Sequence, residues 1–321
     1  MVSITYNMKA VGFYEYGGTE VLRLLDLPSP TPEKGQVLVQ VMAAGVNPAD
    51  WRFRDGQFKA FVRAKFPFVS GLEVAGIVKA VGEGVTRFKI GERVYGRLPT
   101  AKGGGYAEYV AINESALAHM PHSFNFSQAA SVPLTALTAL QALRDKAKLR
   151  NGQRILIYGA SGGVGMFAVQ LAKAYGAHVT AVCSTKNVDW VKSLGADVVI
   201  DYTSTDVLAL PDRYEVIFDA VNHLFAKDAI AILEKGGVYV TVSPVVNPLV
   251  QIRARLMGKQ VKTTFVKANG ADLETISHMI DAGQLMTYIE KEYPLEYASE
   301  AHRQSATGHV RGKLVITIVN L

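Results

Sequence analysis

Two patterns of apolar residues divide the chain. From Lys9 to about His119 the apolar runs are short and broken by turns: Val37 to Val41, Val74 to Val81, Arg93 to Gly96 and Tyr106 to Ile112. Glycines at 71, 76, 82, 84, 91, 96 and 103 to 105 punctuate them, a spacing that predicts a small barrel or sandwich of antiparallel strands. Near Phe126 the pattern changes. A long helical stretch is expected over Ser127 to Leu149, with Pro133 near its first turn or at a kink. Continuous apolar runs follow, alternating with helical segments: Arg154 to Tyr158, His178 to Cys183, Val198 to Ile200, Val216 to Phe218, Val238 to Val242 and Val261 to Val266. Strands covered on both faces read this way, so a parallel sheet with crossover helices is predicted. After Ala268 come an amphipathic helix, Ala271 to Ala282, a connecting region and a last strand, Lys313 to Val319. A β-rich end after an α/β insert implies that the chain returns to complete its first domain. The expected division is 1–124 with 268–321, and 125–267.

A length of 321 residues suits two hydrophobic cores, and 49% hydrophobic against 19% charged residues excludes a disordered chain. The formal charge of +6 comes from basic and acidic residues interspersed along the sequence, which describes a solvated surface better than a docking patch. One cysteine, Cys183, makes no internal disulfide and no four-cysteine zinc lobe, so a reducing, cytoplasmic location is expected. Met1 to Lys9 carries no signal-like run, and Ser115 to Leu143, the longest stretch without charge, holds too many polar residues and prolines for a membrane span.

The sharpest local feature is the strand Arg154 to Tyr158, then Gly159, Ala160, Ser161, Gly162, Gly163, Val164 and Gly165, then a helix from Met166 to Tyr175. Strand, glycine-rich turn and helix N-terminus present main-chain N–H groups and the positive end of a helix dipole to a diphosphate. Side chains at 162 or 163 would obstruct that approach, and a glycine at 165 permits tight packing of helix on strand. The same glycines can also make a tight connection that holds no ligand.

Gly152, Gln153, Leu156, the turn itself, Gln170 and Lys173 together resemble the fingerprint of the quinone oxidoreductase and ζ-crystallin group of zinc-independent medium-chain dehydrogenases/reductases. Gly45 to Asp50, Gly71 to Gly76, Gly91 to Val94, Gly105 to Tyr109 and Gly312-Lys313 extend the resemblance along almost the whole chain. It implies a Rossmann parallel sheet inserted into a GroES-like, mainly β barrel domain. It also implies hydride transfer from a nicotinamide to quinones or α,β-unsaturated carbonyls.

The second strand of the insert ends in Ser184, Thr185 and Lys186, where NAD-selective sheets carry an acid for the ribose hydroxyls. Hydroxyls and an ammonium bind a 2′-phosphate, so NADPH is the expected cofactor. Tyr202 resembles the aromatic residue beside that phosphate. By resemblance, Asn47 lies at the nicotinamide ribose and substrate carbonyl, and Thr135 contacts the nicotinamide. Asp219, Ala220 and Val221, with Thr241, Val242 and Ser243, line the cofactor cleft. Phe265 and Val266 face the carboxamide, and Lys313 touches the cofactor. Plainer roles exist for Asn47 as a turn residue, Thr135 as helix surface and Lys313 as a solvated strand start. Where zinc-dependent relatives place a cysteine and a histidine, this chain has Asn47 and Leu72, neither a plausible zinc ligand. Asp50 and Tyr106 are the candidate proton donors, with solvent or a ribose hydroxyl as alternatives. Asn222 departs from the glycine usual after its strand.

Trp51 to Phe66 interleaves aromatic and basic residues, as an aromatic wall for an amphipathic enone or as an ordinary part-buried loop. Two other functions are alternatives: an NADPH-holding protein that binds RNA or a membrane surface through its basic excess, and, less favoured, a zinc alcohol dehydrogenase, which stoichiometric bound zinc would indicate.

Overall fold

The computed structural model describes residues 7–60, 62–222, 226–243 and 246–318, so the expectations for Met1 to Tyr6, Phe61 and Val319 lie outside the described residues. Cα packing separates two compact units: 1–134 with 268–283 and 287–321, and 135–267 with 284–286.

The first unit is built from β1 (Asn7–Phe13), β2 (Arg23–Pro28), β3 (Gln36–Val46), β4 (Phe68–Val69), β5 (Glu73–Val81), β6 (Arg93–Arg97), β7 (Tyr109–Asn113) and β8 (Leu117–His119). β2, β1 and β4 form a small antiparallel sheet, and β3 is the spine of a larger one, pairing with both β5 and β7. Register shifts in β3 at Leu38/Val39 and Val41/Ala43 mark the irregularities that bend a long strand around a barrel-like core. Alternating inward residues, among them Val37, Val39, Val41, Val74, Val78 and Val94, fill that core. The short α1 (Pro48–Arg54) follows β3 directly, with Pro48 at its first position, where a missing N–H costs nothing.

The expected 23-residue helix is broken into α2 (Phe126–Ala130) and α3 (Pro133–Gln141), which runs on into a stretch of π-helix, Ala142–Ala147. Pro133 starts α3 rather than kinking a continuous helix, because the residue before a proline is driven out of the α region. α2 packs against β3 and β5, so residues 125–134 group with the barrel and not with the insert, where the sequence reading put them.

The second unit is a six-stranded parallel sheet: β9 (Arg154–Tyr158), β10 (His178–Cys183), β11 (Val198–Asp201), β12 (Tyr214–Asp219), β13 (Leu233–Thr241) and β14 (Gln260–Thr263), in spatial order β11-β10-β9-β12-β13-β14. β9 and β10 have the bounds expected from the apolar runs. Crossovers are α4 (Gly163–Ala174), α5 (Val188–Ser193), α6 (Ala226–Ile232) and α7 (Pro248–Leu256). β14 ends at Thr263, so Phe265 and Val266, read as strand from their hydrophobicity, lie beyond it. The chain then returns to the barrel through α8 (Gly270–Asp281), β15 (Ile289–Pro294), α9 (Ala298–Ala306) and β16 (Lys313–Thr317), with β16 pairing antiparallel to β3. β15 and α9 were not separated from the connecting region in the sequence, since Ile289–Pro294 is mostly polar and exposed.

Within Trp51 to Phe66, residues 51–54 end α1 and the other described residues form part-buried loop and satellite core rather than an open aromatic wall. Phe53 packs 4.5 Å from Phe68 between ring centroids and beside Phe13, Phe58 is half-buried against them, and Lys59, Arg63 and Lys65 face solvent.

Candidate functional site

The carboxyl edge of the parallel sheet gathers residues that are far apart in sequence. β9 runs one way into β10 and β11, and β12 starts the other half, so the direction of winding reverses between the neighbours β9 and β12. Ligands of open α/β sheets bind at such a reversal, outside the carboxyl ends of the strands. In register, Tyr158 stands beside Asp219, Asp219 beside Thr241 and Thr241 beside Thr263. The turn 159–165, the segment Ala220-Val221, the pair Val242-Ser243 and the pair Phe265-Val266 therefore follow four adjacent strand ends, with Ser184 to Lys186 and Tyr202 beyond the other two.

At the reversal, β9 turns into α4 through Gly159 to Gly162, with Gly162 in extended conformation as N-cap and no side chain capping the helix. The first N–H groups of α4 are thus left to a ligand or to water. A Cβ on Gly165 would collide with the Gly159 carbonyl oxygen, which accounts for that glycine by helix-to-strand packing, as expected. At Gly162 a Cβ would find only the Gly159 carbonyl oxygen at 3.6 Å, and φ is −83°. Neither packing nor backbone conformation demands glycine at 162, so a bare main chain there serves something that approaches from outside. Residues 161–164 are half-buried with Ala160 beneath them, and the arrangement fits a dinucleotide diphosphate.

The flanking residues have mixed duties. Asp219 is fully buried and accepts from the Val221 N–H at 3.1 Å and the Tyr239 hydroxyl at 3.1 Å, so it shapes the turn. Asn222 adopts φ 56°, the left-handed region that asparagine tolerates best after glycine, which explains the departure noted in the sequence. Thr241 receives the Ser243 N–H at 3.1 Å on its hydroxyl. Val221 and Phe265 are exposed, while Thr135, early in α3, is buried and not helix surface. Tyr202 stacks on Tyr158, centroids 6.5 Å apart. Cys183, at the end of β10, is buried, and burial pushes its thiol up to about 11, an inert group.

In the barrel unit Asn47, Asp50, Tyr106 and Lys313 do come together, but with one another. The Lys313 ammonium is 2.6 Å from Glu73 Oε1, 2.6 Å from Asn47 Oδ1 and 3.0 Å from the Val46 carbonyl oxygen, so its three protons are all committed. The Asn47 amide also donates to Glu73 Oε1 at 2.7 Å, and Glu73 Oε2 accepts the Leu134 N–H at 2.6 Å. Gly45 is the spacer, since a Cβ there would overlap the Glu73 carboxylate. Lys313 is thus the buried counter-ion of Glu73 and neither a solvated strand start nor a free cofactor contact, and Asn47 is a link in the same network rather than an open ligand for a substrate carbonyl.

Asp50 Oδ2 accepts the Asn47 N–H at 2.7 Å and faces the Tyr106 hydroxyl at 3.5 Å, while Oδ1 is buried and accepts no hydrogen bond. Burial pushes this carboxyl up to about 7, with Glu73 adding to the shift. Tyr106 has a neighbour that sequence reasoning missed, His302 on α9, whose Nε2 lies 3.3 Å from the phenol oxygen and whose Nδ1 lies 3.1 Å from Arg54. A guanidinium only donates, so Nδ1 accepts and the proton of the neutral ring sits on Nε2, aimed at Tyr106. Burial, and then the Arg54 charge, hold His302 down at about 3. The phenol in turn has one proton, directed at Asp50. Burial and the Asp50 and Glu73 charges raise Tyr106 well above its ordinary value, and its hydroxyl is held between His302 and Asp50.

Leu72 has no donor atom, Asn47 is tied on both sides of its amide, and the Glu73 carboxylate already holds an ammonium. This donor set does not fit zinc. Among the described residues no group of three or more His, Cys, Asp or Glu is arranged to hold a metal ion, and no helix is long and apolar enough to cross a membrane.

Residues 33–122 match the alcohol dehydrogenase GroES-like domain, and 194–316 match the zinc-binding dehydrogenase domain. A chloroplast envelope quinone oxidoreductase homolog of Arabidopsis thaliana is 34% identical over 96% of this chain and 98% of its own. The chloroplastic NADPH-dependent alkenal/one oxidoreductase of Arabidopsis thaliana is 35% identical over 98% of this chain and 80% of its own. The solved structure of the quinone oxidoreductase from Coxiella burnetii superposes with a TM-score of 0.89 at 32% identity, covering 98% of this chain and all of that one (100%).

Proposed function

The chain belongs to the quinone oxidoreductase group of the medium-chain dehydrogenases/reductases, and on that premise we propose that it is a zinc-independent reductase of quinones or α,β-unsaturated carbonyls that uses NADPH. The observation that carries the reading is the carboxyl edge of the parallel sheet, where an uncapped helix N-terminus and an unexplained bare glycine meet at the winding reversal. The relatives' names supply the substrate class.

NADPH, when bound, supplies a hydride from its nicotinamide ring. In an enone the hydride bonds to the β-carbon, the carbon–carbon π pair shifts toward the carbonyl oxygen, and the resulting enolate takes a proton. A quinone accepts hydride and proton in the same sense to give a hydroquinone. Neither acceptor requires a Lewis acid, in keeping with a donor set that offers zinc no ligands. The chain's contribution is positioning: amides of 162–165 on the diphosphate, and Ser184, Lys186 and Tyr202 at the adenosine end. Of the two candidate donors, Asp50 retains an unengaged oxygen and a proton affinity near neutrality, with water as the other source.

The reading extends to a cytoplasmic protein, in line with one buried cysteine, and to a homodimer. Support for the dimer is that β14 is the outer strand of its sheet and α7 beside it exposes Leu249, Ile252 and Leu256. Purified protein mixed with NADPH and a matched panel of quinones, short enals and long-chain enones tests the activity. Oxidation of NADPH by at least one acceptor is expected, faster than with NADH. No oxidation above background with any acceptor overturns the reading, and stoichiometric zinc by elemental analysis overturns its metal-free part.

A further inference from the structure

The rim expected to recognise a 2′-phosphate contains a carboxylate that the linear sequence did not bring near it. β10 and β11 pair in register with Cys183 beside Asp201, so the residues after both strands share one corner, and the Tyr202 N–H bonds back to the Cys183 carbonyl at 3.1 Å. There the Thr185 hydroxyl donates to Asp201 Oδ2 at 2.6 Å, and the Thr203 hydroxyl donates to Asp201 Oδ1 at 2.7 Å. The two hydroxyl oxygens are themselves 2.8 Å apart. The Thr203 N–H gives the carboxylate a third bond, the second on Oδ1, at 2.9 Å. The bond from Thr185, and then those from Thr203, hold Asp201 below the usual carboxylate range, so it is an anion at neutral pH.

Counting protons decides what this corner offers a ligand. Two hydroxyls have two protons between them, and three short contacts inside the triad take them: one to each carboxylate oxygen, or one between the hydroxyls and one onward. Neither proton points outward in either arrangement. The rim therefore shows lone pairs and a negative charge at Thr185 and Thr203.

We propose that Asp201 is a specificity-determining residue for the nucleotide: it withholds the Thr185 and Thr203 hydroxyl protons from the 2′ position and so holds the preference for NADPH over NADH to a modest level. The inference rests on the proposed function, because it takes the adenosine end of the cofactor to lie at this corner. Asp201 acts through its neighbours and its charge, and is a positioning residue.

The test is fluorescence titration of NADPH and NADH, giving Kd for each, on wild type, D201N, T185V and D201N/T185V. An asparagine accepts one hydroxyl proton through its carbonyl and offers its NH2 to the oxygen of the other, which releases a proton to the ligand. D201N should raise the NADPH-to-NADH affinity ratio roughly tenfold, the size of one hydrogen bond to a charged group. T185V should leave NADPH affinity within about twofold in wild type, yet remove most of the gain in the D201N background, a coupling that a general loosening of the corner would not produce. D201S is the second variant should D201N fold poorly by circular dichroism, with the same direction expected. A ratio unchanged or lowered in both variants, or a tenfold loss of NADPH affinity in T185V alone, overturns the inference while leaving the function in place. Binding of neither nucleotide to wild type overturns both.

Discussion

The interior of the barrel and the carboxyl edge of the parallel sheet both collect residues that look functional, yet they use them in opposite ways. In the barrel, Asn47, Glu73 and Lys313 form a closed set in which nearly every polar atom satisfies another, with Lys313 and Glu73 only 2% and 0% exposed. At the sheet edge the important groups are main-chain amides held open by missing side chains, and the polar side chains mostly fix turns. The lesson is that polar residue types in a family motif identify a place, while the bonds already made there decide whether those residues can act on anything else.

The largest expected effect comes from breaking the buried pair. Lys313→Met should lower stability by about 3–5 kcal/mol, because Glu73 is left charged and buried with an apolar neighbour. Nucleotide affinity per folded molecule should stay within about twofold. Denaturant unfolding and fluorescence titration on the same samples separate the two, and a large affinity loss at unchanged stability would return Lys313 to the cofactor site. The double variant E73Q/K313M should recover most of the loss.

Asp50 sharpens the comparison through pH. Its carboxyl is raised from 3.8 to about 7 by burial, so the folded state holds a proton that the unfolded state releases. The stabilisation is complete below about pH 4, declines as pH rises, and is gone above about pH 7. Wild type should therefore lose about 4 kcal/mol over that window relative to D50N, which does not titrate. Stability curves at pH 5, 6, 7 and 8 read the difference directly, and parallel curves for the two proteins would refute a buried protonated carboxyl.

Gly162→Val probes the other region. No close contact blocks a Cβ there, so stability should fall by only about 1 kcal/mol, the difference between glycine and valine at an N-cap, whereas a branched side chain over the first amides of α4 should weaken NADPH roughly 30-fold, about 2 kcal/mol. Unchanged affinity would mean that the diphosphate does not rest on this turn.

How much of this was legible beforehand follows from what writes itself into local sequence. The turn at 159–165 and the strands β9 and β10 were readable because an apolar run, fixed glycines and a helix start are contiguous. The break before Pro133 turned on the backbone restriction that a proline places on the residue before it, and the short β14 on packing that outvotes hydrophobic pattern. His302 had no signal at all: it lies in a polar helix, 196 residues from Tyr106 and 248 from Arg54, and only the return of the chain to the barrel brings the three together. Asp201 was hidden in part, since its bonds from Thr203 are local but the one from Thr185 comes from strand pairing across 16 residues.

The smallest expected effect decides the role of Tyr106. Tyr106→Phe keeps the ring that packs 5.6 Å from His302 between centroids, and removes one oxygen. Two hydrogen bonds go with it, the one from His302 Nε2 at 3.3 Å and the one directed to Asp50 at 3.5 Å, both long. Their length keeps the penalty near 1–2 kcal/mol, chiefly the desolvated imidazole N–H left without an acceptor. If the phenol were the proton donor in turnover, kcat would fall by two orders of magnitude or more at every pH. As a strut it changes kcat only a few-fold and acts on its neighbour: Asp50 loses a donor to its anion, so the titration near pH 7 moves upward in the variant's stability curve. A large drop in kcat with that titration unmoved would place Tyr106 among the residues that open onto the substrate, and the barrel network would no longer be the closed set described above.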